Sequence, residues 1–216
     1  MVARFITFEG LDGSGKSTHL ERVARRLAER GVAFDVTREP GGTELGQAIR
    51  SVFLDRRFPE MDGRVELLLV FASRRQHLIE VIEPALAAGR HVLCDRFTDS
   101  TMAYQGAGRG VDRETILRVD ELATGGRRPD RTLLFDLPAE AARRRGSSHK
   151  RRRAGRVDRM DAETLAFYER VRGGYLDLAR DEPERFRVID SSGAPDVTSF
   201  AVDAALADFF GPLEGE

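Results

Sequence analysis

The sequence predicts an α/β domain in three layers, a five-stranded parallel sheet with helices on both faces. Three observations carry that expectation. Short apolar runs alternate with longer amphipathic stretches, the order in which parallel strands and their crossover helices follow one another. Each run ends in polar or charged residues, at the carboxyl end where sheets of this kind bind ligands. No linker, internal repeat or heptad array divides the 216 residues, a length that buries a sizeable core as one domain.

The first strand, Arg4 to Glu9, opens into Gly10-x-x-x-x-Gly15-Lys16-Ser17, and an amphipathic run follows from Thr18. This is a phosphate-binding loop between a strand and a helix, where glycines let backbone N–H groups approach a triphosphate and the helix dipole faces the same oxygens. Lys16 then reaches the β- and γ-phosphates, and the Ser17 hydroxyl suits Mg²⁺. The helix, about Ser17 to Arg30, puts Leu20, Val23, Ala24 and Leu27 on one face, and Gly31 ends it.

A second strand, Ala33 to Thr37, runs into Arg38-Glu39-Pro40-Gly41-Gly42-Thr43, a turn of fixed shape that reads either as a connector or as a wall of the site. Glu44 to Leu54 reads as a helix carrying Arg50. A long helix from about Arg64 to Ala88 follows, so apolar from Val65 to Ala72 that it predicts burial on nearly all sides. Arg74 and Arg75 in its middle need partners, either salt bridges or a ligand, and His77 reads as a hydrogen-bonded structural histidine.

The third strand, His91 to Asp95, contains the only cysteine, Cys94, which excludes an intrachain disulfide and reads as a buried thiol. Its terminal Asp95 is the kind of acid that holds Mg²⁺ or its water in phosphate-loop proteins. From Asp95 to Gly106 an arginine, hydroxyls, the Tyr104 phenol and the Gln105 amide crowd together, an inventory able to grip a phosphate, a sugar and a base. Asp112 to Ala123 is a further helix, and Arg131 to Leu137 a fourth strand. Then Arg143, Arg144, Arg145, Lys150, Arg151, Arg152, Arg153, Arg156 and Arg159 crowd one stretch without interleaved aromatics. That stretch, at about 143–160, reads as a lid whose arginines close over a transferring phosphoryl group, with a solvated face as the alternative. A helix from Leu165 to Leu178, a fifth strand from Arg185 to Asp190 and a terminal helix from about Asp196 to Phe210 complete the chain, with a frayed tail from Gly211.

Taken together, Phe8-Glu9-Gly10, Arg38 to Thr43, Asp95-Arg96-Phe97, Ala103-Tyr104-Gln105-Gly106 and Asp158-Arg159 make the chain resemble bacterial thymidylate kinases nearly end to end. The resemblance implies a phosphate-loop NTPase-like domain, usually homodimeric, that moves the γ-phosphoryl group of ATP to dTMP with Mg²⁺. It implies that Gly10, Leu11, Asp12, Gly13, Ser14, Gly15, Lys16, Ser17 and Thr18 hold ATP, with Asp12 also reaching the acceptor sugar. Arg96 would bind the acceptor phosphate, Asp95 and Ser17 would organise Mg²⁺, and Arg74 would read the thymine edge. Thr101, Tyr104 and Gln105 fall beside the base and deoxyribose, and Arg38 and Arg50 at the acceptor end. The family's base-stacking phenylalanine falls on Val70, with Phe71 one place along as the candidate ring. Some relatives carry a basic residue in the loop where this chain has Gly13, which implies the branch whose lid supplies the catalytic arginine, among Arg152, Arg153 and Arg156.

The acceptor phosphate is itself a competent nucleophile, so catalysis would rest on alignment and on charge stabilisation by Lys16, Arg96 and a lid arginine. A kinase for another nucleoside monophosphate, or an ATPase switch, are the rival readings. A nucleic-acid module fits poorly with a net charge of −1. The absence of a long apolar run or signal-peptide pattern predicts a cytoplasmic protein without membrane or nucleic-acid partners.

Overall fold

The computed structural model describes residues 2–152 and 158–213, and their side chains except at 147–152. Strands β1 (Phe5–Gly10), β2 (Phe34–Arg38), β3 (His91–Asp95), β4 (Arg131–Asp136) and β5 (Phe186–Asp190) form one sheet in the order β2-β3-β1-β4-β5. All pairings are parallel, and each strand boundary falls within one residue of the sequence expectation. Because β1 lies in the middle and is buried along its whole length, its carboxyl end opens at the centre of the sheet edge.

Alternation along β1 sorts its side chains between two layers. Ile6 and Phe8 meet α1 (Lys16–Glu29) and α9 (Pro195–Phe210) through Leu20, Val23, Leu27, Val202 and Leu206. Phe5 packs on the opposite face with Val92, Cys94 and Phe97. Glu9 shares that second face and is fully buried. Cys94 is buried as expected, and burial first of all pushes its thiol pKa up.

Helices α2 (Glu44–Phe53), α3 (Gly63–His77), α4 (Glu83–Ala87), α5 (Thr98–Thr101), α6 (Arg113–Thr124), α7 (Ala139–Arg152) and α8 (Leu165–Asp181) complete the layers. Thr43, Asp62, Asp112 and Thr164 cap α2, α3, α6 and α8 by accepting first-turn N–H groups. Met102–Gly108 continues α5 as a wide π turn against which α8 packs. A Cβ at Gly174 of α8 would stand 2.6 Å from the Ala107 methyl, and one at Gly108 2.7 Å from the Phe167 ring. These two glycines therefore set how closely α8 approaches the strip that carries Tyr104 and Gln105.

Three expectations are corrected. The single long helix is α3 followed by a π turn at Leu78–Ile82 and then α4, and Pro84, which cannot donate an N–H, stands in the first turn of α4. Nor is it buried all round: Val65 is 47% and Leu68 61% exposed, while Glu66 on the inward face is fully buried. The apolar run thus covers two faces, one turned to the core and one to the surface. The tail is not frayed throughout its described part, since Leu213 is 3% exposed and its carbonyl accepts from Arg26 at 2.6 Å.

Candidate active site

At the end of β1 the chain turns through Gly10 to Gly15 and enters α1. Gly15, in the left-handed region at φ +90°, precedes the helix with no side-chain cap, so the first N–H groups of α1 are left to a ligand. Lys16 and Asp12 meet at 3.2 Å, and the same carboxylate oxygen accepts from Arg96 Nη2 at 2.7 Å. Ser17 donates to Asp95 Oδ2 at 2.7 Å, whereas Asp95 Oδ1 is buried without a hydrogen-bond partner. A buried carboxylate oxygen left open beside a serine hydroxyl suits a hard cation. The remaining loop residues divide by depth. Gly13, Gly15, Lys16, Ser17 and Thr18 line the cleft, whereas Leu11 and Ser14 are buried beneath it, and Gly10 packs on the Phe135 carbonyl.

Two connected hollows meet at Asp12, Glu39, Arg50, Arg96 and Asp158. The wider one runs over the phosphate loop toward Gly193 and Pro195 after β5, with Arg38 on its wall. Arg145, one of the arginines of the expected lid, and Gly146 beside it line this cleft from α7. Arg145 donates to the carbonyls of Ser191 and Ser192 at 2.8 and 3.1 Å, joining α7 to the β5 loop. A Cβ on Gly13 would lie 2.4 Å from the Ala142 carbonyl, so only glycine permits α7 to rest on the phosphate loop this closely. Arg153 and Arg156 lie outside the described residues, as does the side chain of Arg152.

The narrower hollow is built from buried polar groups. Arg74, 1% exposed, donates through Nε to Glu39 at 2.7 Å and through Nη2 to Thr101 at 3.0 Å. Its Nη1 is buried without a partner. Glu39 is held from its other side by His77 at 2.9 Å, which also contacts Thr37, so His77 is structural. Arg75, by contrast, reaches the Ala123 carbonyl and is exposed, so the two adjacent arginines do different work.

Tyr104, Thr101 and Gln105 line this hollow, and Gln105 donates to Glu66 at 2.8 Å. Phe71 does not line it. Phe71 packs with Leu67, Ile116 and Ala123, and Val70 takes the lining position, because successive helical residues point about 100° apart. Its ring instead lies 4.7 Å from the Arg74 guanidinium, so it supports that residue from behind.

The sequence reading missed Glu66, which organises one end of the narrow hollow. Its carboxylate accepts from Gln105, from Arg109 at 2.9 Å and from Arg159 at 2.6 Å. Arg159, itself buried, adds bonds from its side chain to the Phe53 carbonyl and from its backbone to Leu54. Asp158 and Met160 are thereby brought to the hollow, with Phe53 and Tyr168 as its aromatic walls. The expectation that Arg159 belongs to the lid is therefore corrected: it is buried and bonded to Glu66 and Phe53, so it holds the wall of the hollow in place.

Arg96 and Arg50 stand where the hollows join, with Arg38 near them on the wall of the wide one. Burial first, then the charges of Arg38 and Arg96, lowers the pKa of Arg50, which donates to the Pro40 carbonyl at 3.0 Å. Three guanidiniums so placed favour an anion. The site therefore has an uncapped helix start and lysine on one side, a guanidinium cluster in the middle and a buried arginine with an open N–H on the other. It can hold two phosphorylated ligands end to end.

Comparisons with known proteins identify the family. The thymidylate kinase family model matches residues 8–199. The thymidylate kinase of Desulfovibrio desulfuricans is 51% identical over 195 residues, covering 89% of each chain. That of Ectopseudomonas mendocina is 46% identical over 215 residues and covers all of both. The crystal structure of thymidylate kinase from Ehrlichia chaffeensis superposes with a TM-score of 0.73 at 34% identity, over 95% of this chain and 99% of that one. By the extent of these matches and by its phosphate loop, the chain belongs to the thymidylate kinase family.

Proposed function

We propose that the chain catalyses the reaction of its family, ATP-dependent phosphorylation of dTMP to dTDP with release of ADP, and that its two joined hollows divide the substrates. Its family membership makes it an ATP-dependent dTMP kinase; the assignment of residues is the proposal. The observation that carries it is Asp12, which ties Lys16 of the wide cleft to Arg96 of the narrow hollow through one carboxylate oxygen. A γ-phosphoryl group held by Lys16 and an acceptor phosphate held by Arg96 would meet at that boundary.

On this reading the loop from Gly10 to Thr18 holds ATP, with its glycines and first-turn N–H groups facing the phosphates and Leu11 and Ser14 shaping it from below. Arg96 grips the acceptor phosphate, with Arg38 and Arg50 adding charge. Arg74 donates its open Nη1–H to the base edge, while Thr101, Gln105 and Tyr104 border base and sugar. Ser17 and Asp95 would hold Mg²⁺, which neutralises charge on the transferring phosphoryl group. A lid arginine from about 143–160, with Arg153 and Arg156 as candidates, would add the last positive charge within the same single domain. The acceptor oxygen needs no strong base, so alignment and fixed charge supply the rate.

The exposed faces of α2 and α3 suit the homodimer that the family usually forms. Leu45, Val52, Val65 and Leu68 are 53, 45, 47 and 61% exposed on two helices that pack side by side. Leu68→Glu would shift sedimentation toward a monomer if this surface pairs. No described helix is long and apolar enough to cross a membrane, and a cytoplasmic location is proposed on the character of the family.

ADP release with Mg²⁺ and ATP, measured with no acceptor and with dTMP, dUMP, UMP, CMP, GMP and AMP, tests the assignment. Release confined to dTMP with weaker dUMP is expected. Equal release without an acceptor would mean an ATPase.

A further inference from the structure

Arg96 is the only described non-glycine residue with positive φ, at +76°. That conformation is costly for an arginine and persists only where its surroundings impose it. Those surroundings are centred on Glu9, which no step of the phosphoryl transfer uses. Glu9 Oε1 accepts from the Phe97 N–H at 2.7 Å, pinning the peptide just after Arg96.

The other oxygen belongs to a closed cluster. Ser100 Oγ lies 2.5 Å and Tyr175 Oη 2.9 Å from Glu9 Oε2, and the two hydroxyls lie 2.7 Å apart. Arg96 Nη1 lies 3.0 Å from Ser100 Oγ and 3.1 Å from Tyr175 Oη. Each of these distances is that of a hydrogen bond and needs a proton between its atoms. Each hydroxyl brings one proton, and a single N–H of Arg96 Nη1 points between the two hydroxyl oxygens and serves both. If Glu9 is ionised, one of the short distances is left as lone pair facing lone pair. A proton on Glu9 Oε2 satisfies them all, as Glu9 donates to Ser100, Ser100 to Tyr175 and Tyr175 back to Glu9.

We propose that Glu9 stands protonated in the folded protein and is a positioning residue for Arg96, orienting Ser100 and Tyr175 so that both hydroxyls accept from its guanidinium. A neutral Glu9 also leaves the charge of Arg96 to the acceptor phosphate, where a buried carboxylate would compete for it. The proposal rests on the assignment of Arg96 to the acceptor.

The charged surroundings agree. Asp99 on α5 faces Glu9 and is held by Arg185 at 2.6 and 2.9 Å and by the Thr132 hydroxyl. Burial first, then Asp99, pushes the Glu9 carboxyl up to about 7, against the opposing pull of Arg96. Asp12, Asp95, Tyr104, Tyr175 and Arg50 surround the Arg96 side chain, and the buried Cys94 thiol also faces Glu9.

The test is a carboxyl ¹³C titration of the full chain labelled at glutamate, with Glu9 assigned by its disappearance in Glu9→Gln. A midpoint near neutral is expected, and a midpoint in the ordinary glutamate range would overturn the proposal. In parallel, Glu9→Ala should lower kcat/KM for dTMP about tenfold or more, the loss of one well-placed buried hydrogen-bonding group. Glu9→Gln should restore most of it, staying within about fivefold of the parent. Glu9→Gln falling as far as Glu9→Ala would mean that the negative charge is what matters and would sink the idea. Arg96→Ala separates the two readings: full activity there would end the assignment of Arg96, while the titration would still report on Glu9.

Discussion

The two halves of the site are made in different ways. The wide cleft over the phosphate loop is mostly backbone and half-open side chains; Ser17 and Thr18 are exposed. The narrow hollow is set by side chains hidden from solvent, including Arg74, Glu39, His77, Glu66 and Arg159. A triphosphate presents the same charge whatever base it carries, so backbone N–H groups and one lysine suffice. A base has to be told from its relatives, and discrimination of that kind comes from buried polar groups that stay unpaired with the wrong ligand. On the proposed assignment, the charge that meets the triphosphate sits on the local part of the fold, while selectivity for the base is built into its most interdependent part.

That contrast can be broken at several points. Lys16→Ala should lower kcat by about 10³-fold or more with little change in Tm, because Lys16 makes its only described ion pair to a half-exposed Asp12. Kinetics with saturating dTMP, alongside calorimetry, checks both parts.

Arg74→Met should behave in the opposite way, with loss of stability as well as of base recognition. It leaves Glu39 buried beside His77 alone, a cost of about 3–5 kcal/mol for breaking a buried pair. Adding Glu39→Gln should return much of the stability without returning the preference for dTMP. Recovery of both would show that selectivity does not live in Arg74.

Glu66→Gln should cost about 2–4 kcal/mol and raise KM for dTMP while leaving KM for ATP nearly unchanged, since two arginines and Gln105 converge on it. A matching rise in both KM values would erase the division between the halves.

Glu9 gives a dependence on pH. Its carboxyl has a folded pKa raised from 4.5 to about 7, so the folded chain binds this proton more tightly than the unfolded one. The stability it contributes is full below about pH 4.5 and is lost as pH rises through about 7. Between those limits the parent should lose on the order of 3 kcal/mol relative to Glu9→Gln. Urea titrations at pH 4.5 and 8 measure the difference.

The smallest effect is expected at Arg145→Ala, which removes two bonds to half-open carbonyls and should raise KM for ATP about fivefold without altering KM for dTMP.

What could be read from the sequence follows the same division. The phosphate loop is a compact motif whose spacing is its geometry, and the strands announce themselves as apolar runs, so both were legible. The narrow hollow depends on contacts distant in sequence: Glu66 meets partners 39, 43 and 93 positions away. No local pattern marks such a residue, and an acid within an apolar helix reads as an interruption. Phe71 was misplaced because a one-residue step on a helix redirects a side chain by about 100°. The outward face of α3 was misjudged because Val65 and Leu68 are as apolar as the residues that pack inward. Composition alone cannot tell a core face from an exposed one.

The glycine at position 13 ties the phosphate loop to α7. Since α7 rests where a Cβ at this position would be, with the Ala142 carbonyl at 2.4 Å, a basic side chain could enter the loop only after the helix withdrew. Withdrawal would in turn release Arg145 from the carbonyls after β5. In this fold, then, a side chain at position 13 and the anchoring of α7 through Arg145 exclude one another, so the phosphate loop and the helix beside it behave as one unit.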